Sequence, residues 1–305
     1  MTDRNIQKKH PLVSIITVNY NTAEEICDLI DSILNNDYKN IEIIVVDNAS
    51  PDNDTDLIKS KFPQLNLIMS TKNLGFAGGN NLGIKQAKGD YLFFVNSDAI
   101  ITNGTIQHLI ATFNENKNIG IVSPKFHLYY EPGKFDYAGC SNINSFTGRG
   151  IIIGQNQEDK GQYNTPGETF FCHGGGMLIP KALIEKVGLI PDNYFLYYEE
   201  MEWCENIRKK GYKVYYQPKA LIRHKVSKSI GLFSTLKTYY LTRNRILFMR
   251  RNKPVHYQFI FYLYMFFISI PKNITSLMFK GQFEHLKYFV LAILWNFGYK
   301  TTPKF

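Results

Sequence analysis

The sequence predicts an α/β fold: a mostly parallel sheet with helices on both faces, followed by a basic and aromatic helical segment at the C-terminus. Short apolar runs rich in β-branched residues alternate with amphipathic helical patterns through the first hundred residues. Such alternation with short connections is typical of parallel sheets. From about residue 230 the strand pattern is replaced by basic and aromatic residues. The segments 1–230 and 231–305 are therefore predicted to be separate domains.

Each predicted strand is a short apolar run, as expected of strands buried on both faces. The first four strands are residues 12–18, 41–47, 65–70 and 91–95. Between them lie three predicted helices, at residues 21–34, 52–62 and 78–89. The first helix opens with Thr22 and Glu25 in the spacing of a capping box.

The second half of the body is less regular. Residues 124–170 show no clear period, and a strand is predicted within residues 168–180. The aromatic run 194–198 is typical of either a strand or a turn. A helix from Glu199 to Lys210, ended by Gly211, and one more strand complete the body.

Charge is distributed unevenly along the 305 residues, which carry a net charge of +9. Residues 1–222 hold 21 Lys and Arg against 25 Asp and Glu, whereas residues 223–305 hold 14 against Glu284 alone. A basic tail of this kind favours an anionic membrane surface or another polyanion as partner. Because the basic residues are interleaved with continuous apolar runs, lipid suits the tail better than nucleic acid.

The tail contains two apolar stretches, residues 257–270 and 285–299. The first has fourteen residues, fewer than the roughly 20 that a spanning helix needs. Neighbouring basic residues such as Arg250 and Arg251 fit a helix that lies on an anionic leaflet. We therefore expect a peripheral protein at the cytoplasmic face of the cell membrane. The alternative is that these helices pack on the body or form a homo-oligomer interface.

The cysteines and the N-terminus agree with a cytosolic body. Cys27, Cys140, Cys172 and Cys204 are far apart in the sequence, so free thiols in a reducing compartment are expected. No apolar stretch of the signal-peptide type precedes Pro11.

Polar residues follow the predicted strands, at the edge where sheets of this kind bind ligands. They are Asn19 and Asn21 after the first strand, Asp47 and Asn48 after the second, Asn73, Gly75, Asn80 and Asn81 after the third, and Asn96 and Asp98 after the fourth. Neither a glycine-rich dinucleotide fingerprint nor a P-loop accompanies them. Asp98 suits a hard divalent cation, which is usually bound together with a phosphate. His224, after a later apolar run, offers such a cation a further ligand.

An acidic cluster opens the last helix of the body. Glu199, Glu200 and Glu202 follow the aromatic run, which is expected to raise a carboxyl pKa toward the range of a general base. An acidic first turn also complements the helix dipole, so a purely structural role is the alternative.

Four ordered motifs resemble the family 2 inverting glycosyltransferases of GT-A (Rossmann-like) fold, above all their bacterial rhamnosyltransferase-like branch. The motifs are VSIITVNYNTAEEICDLIDSIL, IEIIVVDNASPDND, STKNLGFAGGNNLGIKQAKGDYLFFVNSDAII and FLYYEEMEWCENIRKKGYK. The resemblance covers residues 11–230. It implies that a sugar moves from a nucleoside-diphosphate donor to a glycan or polyprenyl-linked glycan in surface polysaccharide synthesis. Rhamnose from a dTDP donor is the expectation at the level of the family.

The resemblance also implies a donor site along the four strand ends. Asn19 and Asp47 match positions that hold the nucleotide base and the ribose. Asn73 and the loop 75–81 match the segment that lines the donor pocket. The other donor-side candidates are Asn21, Asn48 and Asn96, the last of which stands where the strict metal motif has Asp.

The same resemblance assigns the metal and the base. Asp98 and His224 match the ligands of a divalent cation, Mg²⁺ or Mn²⁺. Glu200 matches the catalytic base, although Asp is commoner at that position, and Glu199 and Glu202 are the alternatives.

Two other classes of function remain open. A sugar-nucleotidyltransferase also combines an α/β sheet with a metal and a nucleotide, but it normally carries a glycine-rich basic loop that TVNYNTAEE lacks. A membrane-bound binding or scaffold protein with a decayed site is the alternative that is not an enzyme. Hydrolysis of the donor in the absence of acceptor distinguishes a transferase from a scaffold.

Overall fold

The computed structural model describes residues 10–51, 54–226 and 234–299. In these residues ten strands form one sheet. The strands are β1 (Val13–Asn19), β2 (Ile41–Asp47), β3 (Asn66–Met69), β4 (Tyr91–Val95), β5 (Ala99–Ile101), β6 (Ile119–Leu128), β7 (Phe135–Tyr137), β8 (Gly167–Glu168), β9 (Gly176–Pro180) and β10 (Lys213–His224). The helices are α1 (Ala23–Leu34), α2 (Thr55–Lys61), α3 (Gly75–Gln86), α4 (Thr105–Glu115), α5 (Lys181–Val187), α6 (Glu199–Lys209), α7 (Thr235–Asn252), α8 (Val255–Tyr264), α9 (Ile270–Phe279) and α10 (Phe283–Trp295). A π-helical turn, Met265–Ser269, joins α8 to α9.

The sheet confirms the α/β prediction and is parallel in its first half. Its strand order is β3-β2-β1-β4-β9-β6-β10-β5, with β7 beside β6 and β8 beside β10. β1 to β4 are parallel neighbours, with Asn19 opposite Asp47 and Asp47 opposite Met69. β9 runs antiparallel to both β4 and β6, and β5 antiparallel to β10. Because β1 to β4 point the same way, their carboxyl ends meet at one edge of the sheet.

The first helix begins without the predicted capping box. Thr22 makes no side-chain hydrogen bond to the start of α1. Its hydroxyl donates instead to Asn19 Oδ1, at 3.1 Å. Thr22 thereby joins α1 to the end of β1, a contact that the local spacing of Thr22 and Glu25 does not predict.

The third helix starts earlier than predicted, at Gly75 rather than residue 78. Asn48 shapes this start: its Nδ2 donates to the Gly75 carbonyl at 3.0 Å and its Oδ1 accepts from the Leu74 N–H at 2.9 Å. Gly75 has a φ of +71°, and a Cβ there would overlap the carbonyl oxygen of Phe195. Glycine therefore allows the start of α3 to touch the segment that precedes α6.

Two segments depart from the strand predictions. Residues 168–180 contain the end of β8 and all of β9, with irregular chain between them. Residues 194–198, which we call the aromatic bend, form no strand, and Phe195, Tyr197 and Tyr198 have φ angles of +68°, +67° and +79°. Left-handed backbone is rare for aromatic residues, so the aromatic bend depends on contacts from other parts of the chain.

The apolar core of the sheet continues into α7. Phe94 of β4 packs edge-on against Trp203 of α6, with ring centroids 5.6 Å apart. Phe248 and Met249 of α7 and Phe261 of α8 belong to the same buried cluster. α7 therefore packs on the body. The predicted domain boundary at residue 230 lies outside the described residues.

The helix Val255–Phe279, called the tail helix below, comprises α8, the π-helical turn and α9. Its 25 residues contain an 18-residue stretch with a mean hydropathy of 1.2, so the helix is long and apolar enough to cross a membrane. Most of that stretch is exposed. The helix exceeds the fourteen apolar residues on which the sequence prediction rests because it continues past Pro271. The π-helical turn lies two residues before Pro271, where a proline ring clashes with the carbonyl four residues earlier in a regular helix.

Candidate active site

The side chain of Asn19, at the end of β1, organises the edge of the sheet. It is fully buried, and its Nδ2 donates to Asp47 Oδ1 at 2.9 Å and to Asp54 Oδ2 at 2.8 Å. Its Oδ1 accepts from the N–H and the hydroxyl of Thr22, at 3.2 and 3.1 Å. Asp47 is buried as well and accepts from the Ser50 N–H at 3.1 Å. Asn19 and Asp47 are both predicted to bind the sugar-nucleotide donor. Their side-chain polar atoms are instead engaged in hydrogen bonds within the protein, and these bonds shape the loops around the site.

A second network links the end of β2 to the start of α3. Asn48 is buried, and its Nδ2 donates to Asn73 Oδ1 at 3.0 Å. The same oxygen of Asn73 accepts from the Gly75 N–H at 2.9 Å. These side chains hold the donor-side loop in one shape before any ligand arrives.

Two further donor-side candidates act inside α3. Asn80 is buried, and its Nδ2 donates to the carbonyl of Phe76 one turn earlier, at 2.9 Å. Asn81 donates to the carbonyl of Ile190 at 2.8 Å and accepts from its N–H at 3.1 Å. Both side-chain amides form hydrogen bonds that connect parts of the fold. Neither is therefore positioned to contact a sugar-nucleotide donor.

Asn21, Asn73 and Asn96 are the predicted donor residues with accessible surface. Asn21 is exposed, has a φ of +57°, and donates its N–H to Ser50 Oγ at 2.9 Å. Asn96 is half-buried at the end of β4, and its N–H donates to the carbonyl of Gly175 at 3.3 Å. These three amides line the edge at which the parallel strands end.

The structure brings Asp98 and His224 together and adds two residues that sequence reasoning missed. His224 Nε2 lies 3.2 Å from Asp98 Oδ1, because His224 ends β10 and pairs with Ala99 of β5. Asp136 of β7 lies on the other side of the imidazole, with its Oδ2 2.7 Å from His224 Nδ1. His173 Nε2 lies 3.6 Å from the same oxygen of Asp136. The four side chains form one polar cluster at the sheet edge.

The imidazole of His224 lies between two carboxylates, and this position sets its charge. Burial alone would lower the pKa of His224, but hydrogen bonds to Asp136 and Asp98 outweigh that effect and raise the pKa to about 10. Burial lowers the pKa of His173 to about 4, against the opposing charge of Asp136. At neutral pH and without a cation, His224 is therefore protonated and His173 is neutral.

The cluster fits a divalent cation. Asp98 Oδ1 and His224 Nε2, 3.2 Å apart, have the separation of two ligands on one ion, because ligand bonds to such ions are about 2.0–2.2 Å long. In this arrangement Asp136 holds His224 Nδ1 and orients the ring, as carboxylates do beside metal-binding histidines. Asp136, His173 and His224 are also close enough to hold an ion. The 2.7 Å contact between Asp136 Oδ2 and His224 Nδ1 leaves Nε2 facing Asp98 and favours the first arrangement.

The three candidate bases on α6 lie in different surroundings. Glu202 is buried and accepts from Arg251 Nη2 at 2.8 Å, from Asn252 Nδ2 at 2.9 Å and from the hydroxyl of Tyr194. Burial raises the pKa of Glu202, but these hydrogen bonds outweigh it and the net shift is downward. Glu202 is therefore an ionised anchor between α6 and α7, unsuited to proton abstraction.

Glu199 and Glu200 differ in access. Glu199 is 2% exposed, and its Oε2 has no hydrogen-bond partner among the described residues. Burial and the charge of Glu200 raise the pKa of Glu199 well above its usual range. Glu200 is half-buried, and burial raises its pKa to about 7. Of the three, Glu200 combines access with a proton affinity suited to a base at neutral pH.

Two polar residues of α7 hold the aromatic bend that carries these glutamates. The buried Asn244 Nδ2 donates to the carbonyls of Tyr194, Leu196 and Tyr197, at 3.1, 2.7 and 2.9 Å. Arg243 donates to the carbonyl of Tyr194 at 2.6 Å and to Asn244 Oδ1 at 2.7 Å. Strained backbone persists only where its surroundings over-determine it, and these hydrogen bonds supply that restraint.

Comparison with known proteins identifies the family. Residues 14–188 match the family described as Glycosyl transferase family 2. The chain belongs to this family. The match includes the four strand ends, Asp98 and Asp136, whereas α6, α7 and the tail helix lie beyond it.

Two curated relatives and one solved structure illustrate what this family 2 member resembles. It is 28% identical over 210 residues to the low-salt glycan biosynthesis hexosyltransferase Agl10 of Haloferax volcanii, covering 66% of this chain and 63% of that protein. It is 26% identical over 275 residues to the dTDP-rhamnosyl transferase RfbF of Shigella flexneri, covering 84% and 86%. The mannosyltransferase PcManGT of Pyrobaculum calidifontis, solved with GDP-Man and Mn²⁺, has a TM-score of 0.61 and 17% identity, covering 96% of this chain and 89% of that one.

These similarities differ in what they establish. The chain spans just under two thirds of Agl10 and of several other curated relatives, at 62–64% of their length. The likeness to PcManGT, at 17% identity, establishes the GT-A fold alone.

Sequence reasoning missed four residues of the site in this family 2 member. Asp136 lies in the irregular region 124–170 and has no signal beyond its residue type. His173 precedes three glycines in CHGGG, a pattern that could have indicated a close backbone approach. Arg243 and Asn244 are adjacent polar residues that are buried in an aromatic helix, and burial of this kind is visible only in the fold.

Proposed function

We propose that the chain is an inverting glycosyltransferase that moves a sugar from a nucleoside-diphosphate donor to a hydroxyl of a glycan or lipid-linked glycan. The observation that carries the proposal is Glu200, a half-buried carboxyl at the start of α6 whose pKa burial raises to about 7. A general base is most effective when its pKa lies near the working pH. Family membership supports the choice of reaction.

Asp98 and His224 are proposed to hold a divalent cation, Mg²⁺ or Mn²⁺. Such a cation neutralises the negative charge that develops on the leaving nucleoside diphosphate, as a Lewis acid. Asp136 keeps the proton of the imidazole on Nδ1, so that Nε2 faces Asp98. The presence of Mn²⁺ in the PcManGT complex supports the choice of cation.

The donor-side residues are proposed to act in two groups. Asn21, Asn73 and Asn96 have accessible surface at the strand ends and face the nucleotide. Asn19, Asp47, Asn48, Gly75, Asn80 and Asn81 hold the loops in shape through the hydrogen bonds described above. A preformed pocket of this kind saves ordering entropy when the donor binds.

Glu200 takes the proton from the acceptor hydroxyl as that oxygen attacks the anomeric carbon. Attack from the face opposite the leaving diphosphate inverts the configuration at that carbon in a single displacement. The aromatic bend before α6 fixes the position of the carboxylate, and Glu202 remains paired with Arg251. In this proposal the side chains of the protein bind the substrates and orient them, and Glu200 accepts one proton.

The donor sugar, the acceptor and the location are proposed from similarity to a relative and from the tail. Similarity to RfbF over 84% of the chain supports rhamnose from dTDP-rhamnose. The exposed, apolar tail helix and the basic tail support a peripheral position at the cytoplasmic face of the membrane. An acceptor there is a polyprenyl-linked glycan used in surface polysaccharide synthesis.

Substitution of the base tests the proposal. General-base catalysis contributes typically ~10²–10⁴-fold to rate, so Glu200→Gln should lose turnover by about that factor while the donor still binds. Transfer from dTDP-rhamnose, UDP-sugars and GDP-sugars with Mn²⁺ is measured by product NMR, which also reports the anomeric configuration. Donor binding is followed as a rise in melting temperature.

The matched control is Glu205→Gln, on the same helix, whose carboxylate pairs with Arg208 at 2.7 Å. This control should keep wild-type turnover. Equal turnover in Glu200→Gln and wild type would refute the role of Glu200, and the absence of transfer from every donor would refute the proposed function.

A further inference from the structure

A buried arginine with no acidic partner among the described residues lies where α7 meets the tail helix. Arg245 is 5% exposed, and its Nη2 donates to Ser269 Oγ and to Met265 Sδ, both at 3.1 Å. Its Nε has no hydrogen-bond partner in the described part of the chain. Neither acceptor carries a charge, and no carboxylate is among the described groups that act on it. Burying an uncompensated cation is costly, so this guanidinium requires an explanation.

A second arginine, Arg149, acts on Arg245 from a neighbouring loop and has no acidic partner among the described residues. Gly148 packs on the stem of Arg245: a Cβ at Gly148 would lie 3.1 Å from Arg245 Cγ and 3.0 Å from Met249 Cγ. Arg149 follows directly, is exposed, and makes no side-chain hydrogen bond or ion pair with the residues that the structure describes. Its charge acts on Arg245 with the same sign. Two guanidinium groups therefore act on each other with no carboxylate among the described groups that act on Arg245.

The pair of arginines adjoins the proposed base. Tyr198, two residues before Glu200, donates its hydroxyl to the carbonyl of Gly148 at 3.4 Å. The charges of Arg149, Arg245 and Glu200 all act on Tyr198. Arg245 also contacts the π-helical turn of the tail helix, through its hydrogen bonds to Met265 and Ser269. The arginines thus lie between the base and an exposed apolar helix.

We propose that Arg149 and Arg245 bind a phosphate group of the acceptor, whose apolar chain lies along the tail helix. The proposal rests on the proposed function and names its acceptor as a prenyl phosphate or diphosphate that carries the glycan. Guanidinium forks match phosphate oxygens in pairs and are weakly hydrated, which suits a partly buried site. π-Helical turns are frequent at functional sites, and this one supplies the contacts that hold Arg245.

Binding of farnesyl phosphate to the full chain tests the assignment. The measurement is titration calorimetry in EDTA, which prevents a cation at Asp98 from capturing the phosphate. A hydrogen bond to a charged group contributes roughly 1.5–3 kcal/mol, so Arg149→Gln should weaken binding at least about tenfold. Arg250→Gln changes an exposed arginine of α7; it is the matched control and should bind as wild type does. Unchanged affinity in Arg149→Gln would overturn the inference.

The buried arginine gives an independent readout. Arg245→Met replaces an uncompensated buried cation by an apolar side chain of similar length, so the melting temperature should be maintained or rise while farnesyl phosphate binding is lost. A lower melting temperature together with unchanged farnesyl phosphate binding would assign Arg245 a structural role and overturn the inference.

A phospholipid headgroup offers the same phosphate chemistry, and vesicles distinguish the two sources. Arg149→Gln should weaken farnesyl phosphate binding but leave binding to phosphatidylglycerol vesicles close to wild type. Equal losses with both ligands would overturn the acceptor assignment in favour of a headgroup site. The thermal shift of the wild-type chain with dTDP-rhamnose and Mn²⁺ separates the two proposals. If that shift is present and the farnesyl phosphate result is negative, only the inference about the arginines is rejected.

Discussion

The carboxyl group of Glu200 has a pKa of about 7 because the surrounding protein excludes water from its charged form. The neighbouring Glu199 is more deeply buried, and the negative charge of Glu202 is paired with the guanidinium of Arg251. Three glutamates within one helical turn thus have three proton affinities, each set by burial and partners. Only the local surroundings distinguish them, since their residue type is the same.

The pH dependence of turnover follows from this carboxyl. A base acts in its ionised form, so kcat should be at its plateau above pH 7 and fall tenfold per pH unit below about 7. A pH–rate profile of kcat at saturating donor and acceptor checks this, with melting curves at each pH as the control for unfolding. An acidic limb of this profile with its midpoint near pH 4.5, the ordinary pKa of glutamate, would contradict the assignment.

Asp136 is expected to affect the affinity for the cation by orienting His224, although it is not itself a proposed ligand. Asp136→Asn removes the carboxylate that keeps a proton on His224 Nδ1, so Mn²⁺ should bind about 10–100-fold more weakly. Calorimetric titration with Mn²⁺ in the absence of donor measures this.

Asp159→Asn is the matched control for Asp136→Asn. Asp159 likewise contacts a histidine, His127, at 2.9 Å, but it belongs to an ion pair with Lys125. Mn²⁺ affinity should not change in this control, and equal losses in both variants would show that Asp136 has no special role.

At the level of elements, the aromatic bend depends on a helix that follows it at a distance in sequence. Asn244 reaches Leu196 across 48 residues. The hydrogen bonds from Asn244 are a main restraint that keeps three aromatic residues in left-handed backbone. α7 is therefore part of the candidate site, because it holds the segment that precedes Glu200.

Asn244→Ala should separate donor binding from turnover. The bend should relax and displace Glu200, and a displacement of about 1 Å can cost roughly 10²-fold in rate. The Kd of the donor, which binds at the strand ends, should stay close to wild type. Steady-state kinetics and donor thermal shifts measure the two quantities.

The control for Asn244→Ala is Asn296→Ala. Asn296 also donates to a backbone carbonyl of α7, that of Arg243, at 3.1 Å, but it makes no described hydrogen bond to the aromatic bend. A loss of turnover in this variant as large as in Asn244→Ala would mean that α7 packing in general, and not the bend, controls the rate.

The elements that sequence reasoning predicts well are those whose pattern is local. β2 and β4 have the predicted bounds because each is a continuous apolar run between polar residues. The irregular chain around Asp136 and the aromatic bend could not be predicted, since their conformation depends on His224 and Asn244, which lie 88 and 48 residues away. Asp98, His224 and Glu200 lie in local patterns and could be proposed as site residues from the sequence. The residues that orient them could not, because their contacts are distant in sequence.

At the scale of the whole molecule, the tail helix exposes large apolar side chains. Phe259, Phe266 and Phe267 of the tail helix are 63%, 67% and 68% exposed. Large apolar side chains exposed together mark an interaction surface. The basic residues of the tail favour an anionic leaflet as the partner of this surface.

Replacing these three phenylalanines by serine should release the chain from membranes. Full burial of a phenylalanine contributes about 1.5–3 kcal/mol, so the partition coefficient onto phosphatidylglycerol vesicles should fall at least about a hundredfold. Vesicle flotation measures the partition, and the donor thermal shift should be unchanged. Tyr130→Ser with Ile151→Ser, two exposed apolar residues of the body, is the control. Flotation equal to wild type in the triple variant would refute a lipid-facing tail helix.

The bond from Asn244 to the aromatic bend also has a consequence for how the protein is made. A ribosome adds about 5–20 residues per second, and amino-terminal parts fold first. The strands β1 to β4, β6 and β9 can therefore pair while the 48 residues that separate Leu196 from Asn244, which include β10, are still being translated. This takes roughly 2–10 s at that speed. During this interval the proposed base lacks the support of α7. Because α7 immediately precedes the tail helix, the proposed function predicts that catalytic competence and membrane attachment arise almost together during synthesis.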